Sequence, residues 1–250
     1  LHLMDPIETR VIELDKYQVH NPIVILGFVE MTTLGLLTTS YIIEQKGLHQ
    51  IAQVKSIHIP PVTVFIGGKL RSPFRIYVNK EGTLVVITCE VPVDEEGLYE
   101  ISSVLLKWLE SISPSEIVVI DGIPIKGYLE NRDVYAAASA PILDKLSKYG
   151  VKNAESAIIS GIGGALINES LGKKIDALTL MTPCSIDIPD PQAVLAVVEI
   201  LNKVFKVGIE TGVLEESVKK LQEQAKAVID NYNQIQKNKS LKSQEQSIYG

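Results

Sequence analysis

With 250 residues, 46% hydrophobic and 22% charged, the chain has the composition of an ordinary globular protein and the length to bury a sizeable core, as one large domain or two small ones. A net charge of −6 argues against general binding to nucleic-acid phosphates, which needs a basic face. Cys89 and Cys184 lie far apart and form no C-x-x-C pair, so they read as buried thiols of a cytoplasmic protein, with no metal expected. No apolar run approaches the ~18 residues of a membrane span. The first residues lack the basic-then-apolar pattern of a secretory signal.

Thr9 to Leu14 alternates and predicts a partly exposed strand. Asn21-Pro22 breaks it, and Ile23 to Gly27 is a continuous apolar run, as in a strand buried on both faces. A helix is expected over Thr33 to Lys46, with Leu36, Leu37, Ile42 and Ile43 on one face and Gly47 ending it in the left-handed region. Ile51–Ile57, Val62–Ile66, Phe74–Val78 and Leu84–Cys89 read as strands separated by Pro60-Pro61, Gly67-Gly68 and Glu81-Gly82. They suggest an antiparallel excursion on an α/β frame. Asp94 is a candidate N-cap for the next helix, whose apolar stripe is Leu98, Ile101, Leu105, Trp108 and Ile112. Trp108 in that stripe reads as core.

Ile117 to Ile120 is another buried-type strand, followed by Asp121-Gly122-Ile123-Pro124. A carboxylate at the carboxyl end of a strand is where α/β folds place ligands, and it is also a common turn initiator. Val134–Ala138 and Pro141–Tyr149 read as a strand and a short helix closed by Gly150. Ala157 to Ser160 is expected to be a strand leading into Gly161-Ile162-Gly163-Gly164. Such a junction can cradle a phosphate or small ligand, or can let the helix pack closely on its strand. Leu166 breaks the G-x-G-x-x-G fingerprint, and the Lys-Ser/Thr of a P-loop is absent. Asp176–Thr182 is a further strand. Asp190-Pro191 starts a helix with Val194, Val197, Leu201, Val204 and Phe205 on its buried face.

The last helix is expected from Leu214 to Ile235. Its apolar seam, Leu214, Val218, Leu221, Ala225, Val228, Tyr232 and Ile235, steps by 4, 3, 4, 3, 4 and 3, a 3.5-residue period. Packing on the protein's own core and a subunit contact both fit that spacing. From Gln236 the sequence turns polar (QKNKSLKSQEQ) and ends Ser247-Ile248-Tyr249-Gly250. Residues 1–235 thus read as a single α/β domain and 236–250 as a flexible tail, since the polar run cannot bury enough apolar surface to offset its ordering. A polar tether tipped by an aliphatic, an aromatic and a free carboxylate has the form of a hook.

Several stretches carry a resemblance. The glycine loop SGIGGALINESLG, the strand DALTLMTPC, the helix PDPQAVLAVVEIL, the segment LEESVKKLQEQA and the early GFVEMTTLGLLTTSYI resemble the archaeal proteasome assembly chaperone family. The similarity spans most of residues 20–230 and is thin in the Ile51 to Cys89 strands. Thr32 and Thr33 stand where a glycine is expected in many members. The resemblance implies a three-layer α/β/α fold with a mixed sheet, similar to nucleoside phosphorylases but without their activity. It also implies an ATP-independent, cytoplasmic homotetramer without cofactors. Chaperone members of that family end in a hydrophobic–Tyr–X motif that docks into pockets between α subunits of the proteasome core particle. Ile248, Tyr249 and Gly250 match that motif position by position and are the expected partner-binding residues. The competing reading is a phosphorylase-like or hydrolase-like enzyme using the Gly161–Gly164 loop. Little chemistry supports it: His2, His20, His49 and His58 all lie in the first quarter of the chain, and no G-x-S-x-G or H-E-x-x-H occurs. Asp121, Asp187 and Asp190 are the carboxylates that could converge there.

Overall fold

The structure is a computed structural model and describes residues 8–248 except 131 and 189, with the side chains of 225 and 238–248 also outside the description. Tyr249 and Gly250 therefore lie outside the described residues. The strands are β1 (Arg10–Glu13), β2 (Ile23–Phe28), β3 (His49–Lys55), β4 (Val64–Ile66), β5 (Lys69–Arg71), β6 (Phe74–Val78), β7 (Leu84–Cys89), β8 (Glu116–Ile125), β9 (Tyr135–Ala137), β10 (Lys152–Asn153) and β11 (Ala177–Ser185). The helices are α1 (Leu34–Gln45), α2 (Leu98–Ser111), α3 (Ala140–Ser147), α4 (Gly161–Lys173), α5 (Pro191–Phe205) and α6 (Leu214–Ile248).

Among the described residues one nine-stranded sheet has the order β1-β3-β6-β7-β2-β8-β11-β9-β10. Its centre is parallel: β2 pairs with β7 and β8, and β8 with β11. The excursion formed by β1, β3, β6 and β7 is antiparallel. Alternation along the central strands sends side chains to two faces. Ile25, Val118, Ile120 and Leu180 pack with α1, α5 and the start of α6. Val24, Leu26, Ile117 and Val119 pack with α2 and α4. The result is a mixed sheet with helices on both faces, the α/β class the residue pattern indicates.

Glycines set two close approaches. A Cβ on Gly27 would fall on the Gly35 backbone, and one on Gly35 would press on the Ile120 carbonyl. The first turn of α1 can therefore lie directly over β2 and β8.

Three expectations change. β8 does not stop at Ile120. It runs through Asp121-Gly122-Ile123-Pro124 to Ile125 and stays paired with β11. Its pairing with β2 ends at Gly27↔Ile120, so Pro124 sits where one side of the strand has no ladder to lose. Residues 157–160 form no strand, and Ile158 is 96% exposed. Asp94 makes no side-chain cap: a 3-10 turn over Glu95–Gly97 intervenes, and Gly97 stands at the N-cap of α2.

Candidate functional site

Two regions concern function: the carboxyl edge of the parallel strands, and α6. The loop after β2 leads by way of α1 toward β3, while the chain after β8 turns the other way, toward β9 and β11. The strand order therefore diverges between β2 and β8, the position where open α/β sheets bind ligands. Glu30 follows β2 there, and Asp121 lies on the adjoining stretch of β8.

Glu30 explains the glycine loop. Its Oε1 accepts the Ile162 N–H at 3.1 Å, so a carboxylate of the chain itself holds the amino end of α4. Gly161 has φ +64°, and a Cβ there would overlap the Glu30 carboxylate. Gly163 leaves room for Val119, and Gly164 for the Ile159 carbonyl. Close packing is what these glycines provide. Burial pushes the Glu30 carboxyl up to about 7, against the lowering effect of the Ile162 N–H and with a further raise from Asp121. Burial also raises Asp121, whose Oδ1 accepts its neighbour's Gly122 N–H at 2.7 Å. Thr32, one of the departures from the family pattern, occupies the space a Gly122 side chain would need, and its hydroxyl accepts the Leu34 N–H.

The other two carboxylates serve the chain's own structure or face solvent. Asp190 caps α5 by accepting the Ala193 N–H at 3.1 Å, accepts the Ser185 N–H at 2.9 Å, and pairs with Arg132 at 2.6 Å. Both of its oxygens are thus engaged. Asp187 is exposed. Cys184 is buried beside this network, and burial pushes its thiol up to about 12; Cys89 is likewise raised to about 12 by burial. Neither sulfur offers a thiolate near neutral pH. Glu30 and Arg132 were not singled out from sequence. Glu30 was detectable as the acidic residue two positions past a buried strand; Arg132 lies in a loop with no distinguishing pattern.

Beside Asp121 a groove of about 910 Å³ opens between β8, β9 and residues 152–158, lined also by Ile123, Tyr135, Met181, Glu155 and Ile158.

The root of α6 is fixed firmly. Asn202 on α5 exchanges two hydrogen bonds with the Ile209 backbone, at 2.7 and 2.8 Å, and the Tyr41 hydroxyl donates to the Glu210 carbonyl at 2.6 Å. The seam then divides. Leu214, Val218 and Leu221 are buried in the core. Val228 and Tyr232 are half-buried, and Ile235 is 45% exposed. Own-core packing accounts for the seam as far as Val228, and cover then falls away toward Ile235. Helix continues past Ile235 to Ile248, beyond the segment whose pattern indicates it. At ~1.5 Å per residue, the part after Ile235 is about 20 Å long.

The PAC2 family model matches residues 24–229. The chain belongs to the PAC2 family. An uncharacterized protein of Methanocaldococcus jannaschii is 24% identical over 222 residues, 86% of this chain and 91% of that one. A solved structure of a Thermoplasma acidophilum protein of unknown function is 48% identical, covers 89% of this chain and 92% of its own, and superposes with a TM-score of 0.86. The fold is shared with two Pyrococcus furiosus PAC2-like structures. PbaA, an archaeal homologue of proteasome-assembly chaperone, is 20% identical with a TM-score of 0.77 and covers 97% of this chain and all of its own length (100%). PbaB, an archaeal proteasome activator, is 20% identical with a TM-score of 0.73, over 88% of this chain and 98% of its own. The match to the PAC2 model begins at β2 and ends within α6, so it spans the carboxyl edge and the rooted half of that helix, and stops short of Ile248.

Proposed function

We propose that this PAC2 protein is a non-enzymatic, ATP-independent proteasome-binding factor of the cytoplasm. It acts as an assembly chaperone or activator and docks on α subunits of the core particle through Ile248, Tyr249 and Gly250. The observation that carries the reading is the hydrophobic–Tyr–X sequence at the end of a helix rooted in a PAC2 body. Likeness of fold to PbaA and PbaB supports it. So does the carboxyl edge, where the chain's own Glu30 and Asp190 hold the amino ends of α4 and α5.

Ile248 and Tyr249 would each contribute up to about 1.5–3 kcal/mol on full burial in a pocket, with the phenol needing a hydrogen-bond partner there. The Gly250 carboxylate would pair with a basic group. One such hook binds weakly after ordering costs. A homotetramer presenting four would gain roughly 10²–10⁴ in avidity where the pockets match its geometry.

A pull-down of proteasome core particle or free α subunits tests this. The full chain is compared with a form lacking Ile248–Gly250 and with Tyr249→Ala. Capture by the full chain and loss in both variants is expected. Capture that survives both changes would place recognition on the body and remove the hook.

A further inference from the structure

The groove beside Asp121 is the part of one helical layer that stays open. Strand pairing sets four side chains in a row across its floor: Asp121 on β8, Met181 on β11, Tyr135 on β9 and Lys152 on β10, each the register partner of the next. Register partners turn to the same face of a sheet. On this face α4 packs against β8 and β11. α3 packs against β9 and β10 from the opposite face, where Ala136 and Leu146 share a core cluster. The Met181–Tyr135 end of the floor is therefore bordered by residues 152–158 rather than by a helix, and Ile158 at the rim is 96% exposed. At about 910 Å³ the space falls within the ~300–1,000 Å³ of small-molecule sites.

The charge in and beside the groove is acidic and unmatched. Asp121 lines it, and Glu30 lies close enough for the Asp121 charge to raise its carboxyl further. Neither carboxylate has a salt bridge among the described residues. Lys152, which also lines the groove, is committed to Asp133 at 2.7 Å, and Arg132 to Asp190 at 2.6 Å. Glu155 adds a further carboxylate to the wall. One row deeper, diagonal to Asp121 in the β8–β11 ladder, Thr179 is fully buried on the same face. Its hydroxyl has no hydrogen-bond partner among the described residues, and a buried polar group left unpaired is one that a ligand can satisfy. A metal ion does not suit this set, since among the described residues no three His, Cys, Asp or Glu side chains are placed to hold one. An anion would meet the acidic wall.

We infer that this groove is a binding site for a small organic amine, whose ammonium pairs with Asp121 while its carbon body lies on Met181 and Tyr135 beneath Ile158. The chemistry follows from the lining. Asp121 Oδ1 accepts the Gly122 N–H, and the second oxygen of the carboxylate is the acceptor for the ammonium, in a charge-assisted hydrogen bond. The Tyr135 ring in the floor offers its face to the same cation. Met181, Ile123 and Ile158 supply apolar cover for the carbon chain. Glu30, behind Asp121, adds a negative field at the end of the groove where the ammonium sits. The site goes beyond the reading of the tail and does not depend on it.

The test is a titration of full-length protein carrying ¹³C-methyl methionine, read by NMR at the Met181 methyl, which Met181→Leu assigns. The probes are hexylamine, hexanol and hexanoate, equal in carbon chain and different in charge. Hexylamine is expected to move the Met181 signal saturably, hexanol to bind about tenfold more weakly or worse, and hexanoate not to bind. Asp121→Asn keeps an oxygen for the Gly122 N–H and removes the charge, and should weaken hexylamine by about tenfold or more. Ile158→Arg, at a position exposed enough to leave the fold intact, sets a cation at the rim and should abolish binding; circular dichroism checks both variants. No saturable shift with hexylamine, equal affinity for hexylamine and hexanol, or hexylamine binding unchanged in Ile158→Arg or in a folded Asp121→Asn would each overturn the inference. None of these outcomes bears on whether the tail binds the proteasome, which the pull-down reads separately through Tyr249.

Discussion

Glu30 gives a pH dependence whose sign is set by its surroundings. Its carboxyl is raised from an ordinary 4.5 to about 7, chiefly by burial. In the unfolded chain the group has released its proton above about pH 4.5, whereas the folded chain keeps it until about pH 7. Between those values the folded state binds more protons, so stability falls as pH rises and levels off above about 7. Taken at face value the shift corresponds to about 3 kcal/mol. The side chain is only partly buried, and solvent screening reduces the expected loss to roughly 1–2 kcal/mol. Glu30→Gln keeps an oxygen that can accept the Ile162 N–H and removes the titration. Urea unfolding of both proteins at fixed concentration, at half-unit steps from pH 5 to 8, isolates the effect as the difference between two curves. The variant is expected to equal wild type near pH 5 and to exceed it by roughly 1–2 kcal/mol at pH 8. A variant less stable than wild type at pH 8 would refute the reasoning. It would mean that an ionised Glu30 helps to hold α4 more than its burial costs.

Arg75 and Glu90 form a buried bidentate pair, at 3.0 and 2.6 Å, with the Arg75 Nε donating to the Tyr77 hydroxyl and its Nη1 to the Ser72 carbonyl. Arg75→Met leaves the Glu90 carboxylate buried without its cation and should cost about 3–5 kcal/mol in urea unfolding, while adding Glu90→Leu should recover most of it. Gly27→Ala would drive a methyl into the Gly35 backbone; a loss of several kcal/mol, about 3 or more, is expected, and a normally stable variant would show that α1 can shift off β2. Inserting a flexible Gly-Ser hexapeptide after Gln236 interrupts the helical arm of α6 without touching Ile248–Gly250. If the arm sets tail direction, surface-plasmon measurements on immobilised core particle should show affinity falling about tenfold or more, whereas unchanged affinity would make the arm a flexible tether.

The parallel core was legible because each central strand is a short apolar run with no polar alternation, and such runs fit only a sheet covered on both faces. Asp190-Pro191 was legible for a local reason: the cap and the missing donor act within one turn of α5. The errors lie where tertiary pairing overrides local signals. Asp121-Gly122-Ile123-Pro124 looks like a turn, yet β11 supplies partners on one side and nothing competes on the other. Ala157-Ile158-Ile159 looks like a strand, yet it joins no ladder and leaves Ile158 96% exposed. Within the candidate site, the closeness of the Gly161 loop to its neighbours could be read from composition. The occupant of the loop could not, because Glu30 lies 132 positions away from Ile162. The seam of α6 was read at the right spacing, but periodicity does not say where the body beneath a helix stops.

These features point the same way. At the carboxyl edge, where α/β enzymes admit ligands, the chain fills its own positions: Glu30 at the amino end of α4, Thr32 over Gly122, and Asp190 at the amino end of α5. Such groups are pre-engaged, and a ligand would have to displace short internal hydrogen bonds to use them. The unmet surface lies outside this edge, in Phe65 and Leu70 on a projecting hairpin, Ile158 at the groove rim, and a seam on α6 that outlasts its core. A body whose carboxyl-edge carboxylates are already engaged and whose apolar surplus is displayed outward is suited to holding other chains. A firmly rooted α6 gives that surplus a direction, which an unanchored polar tail would lack.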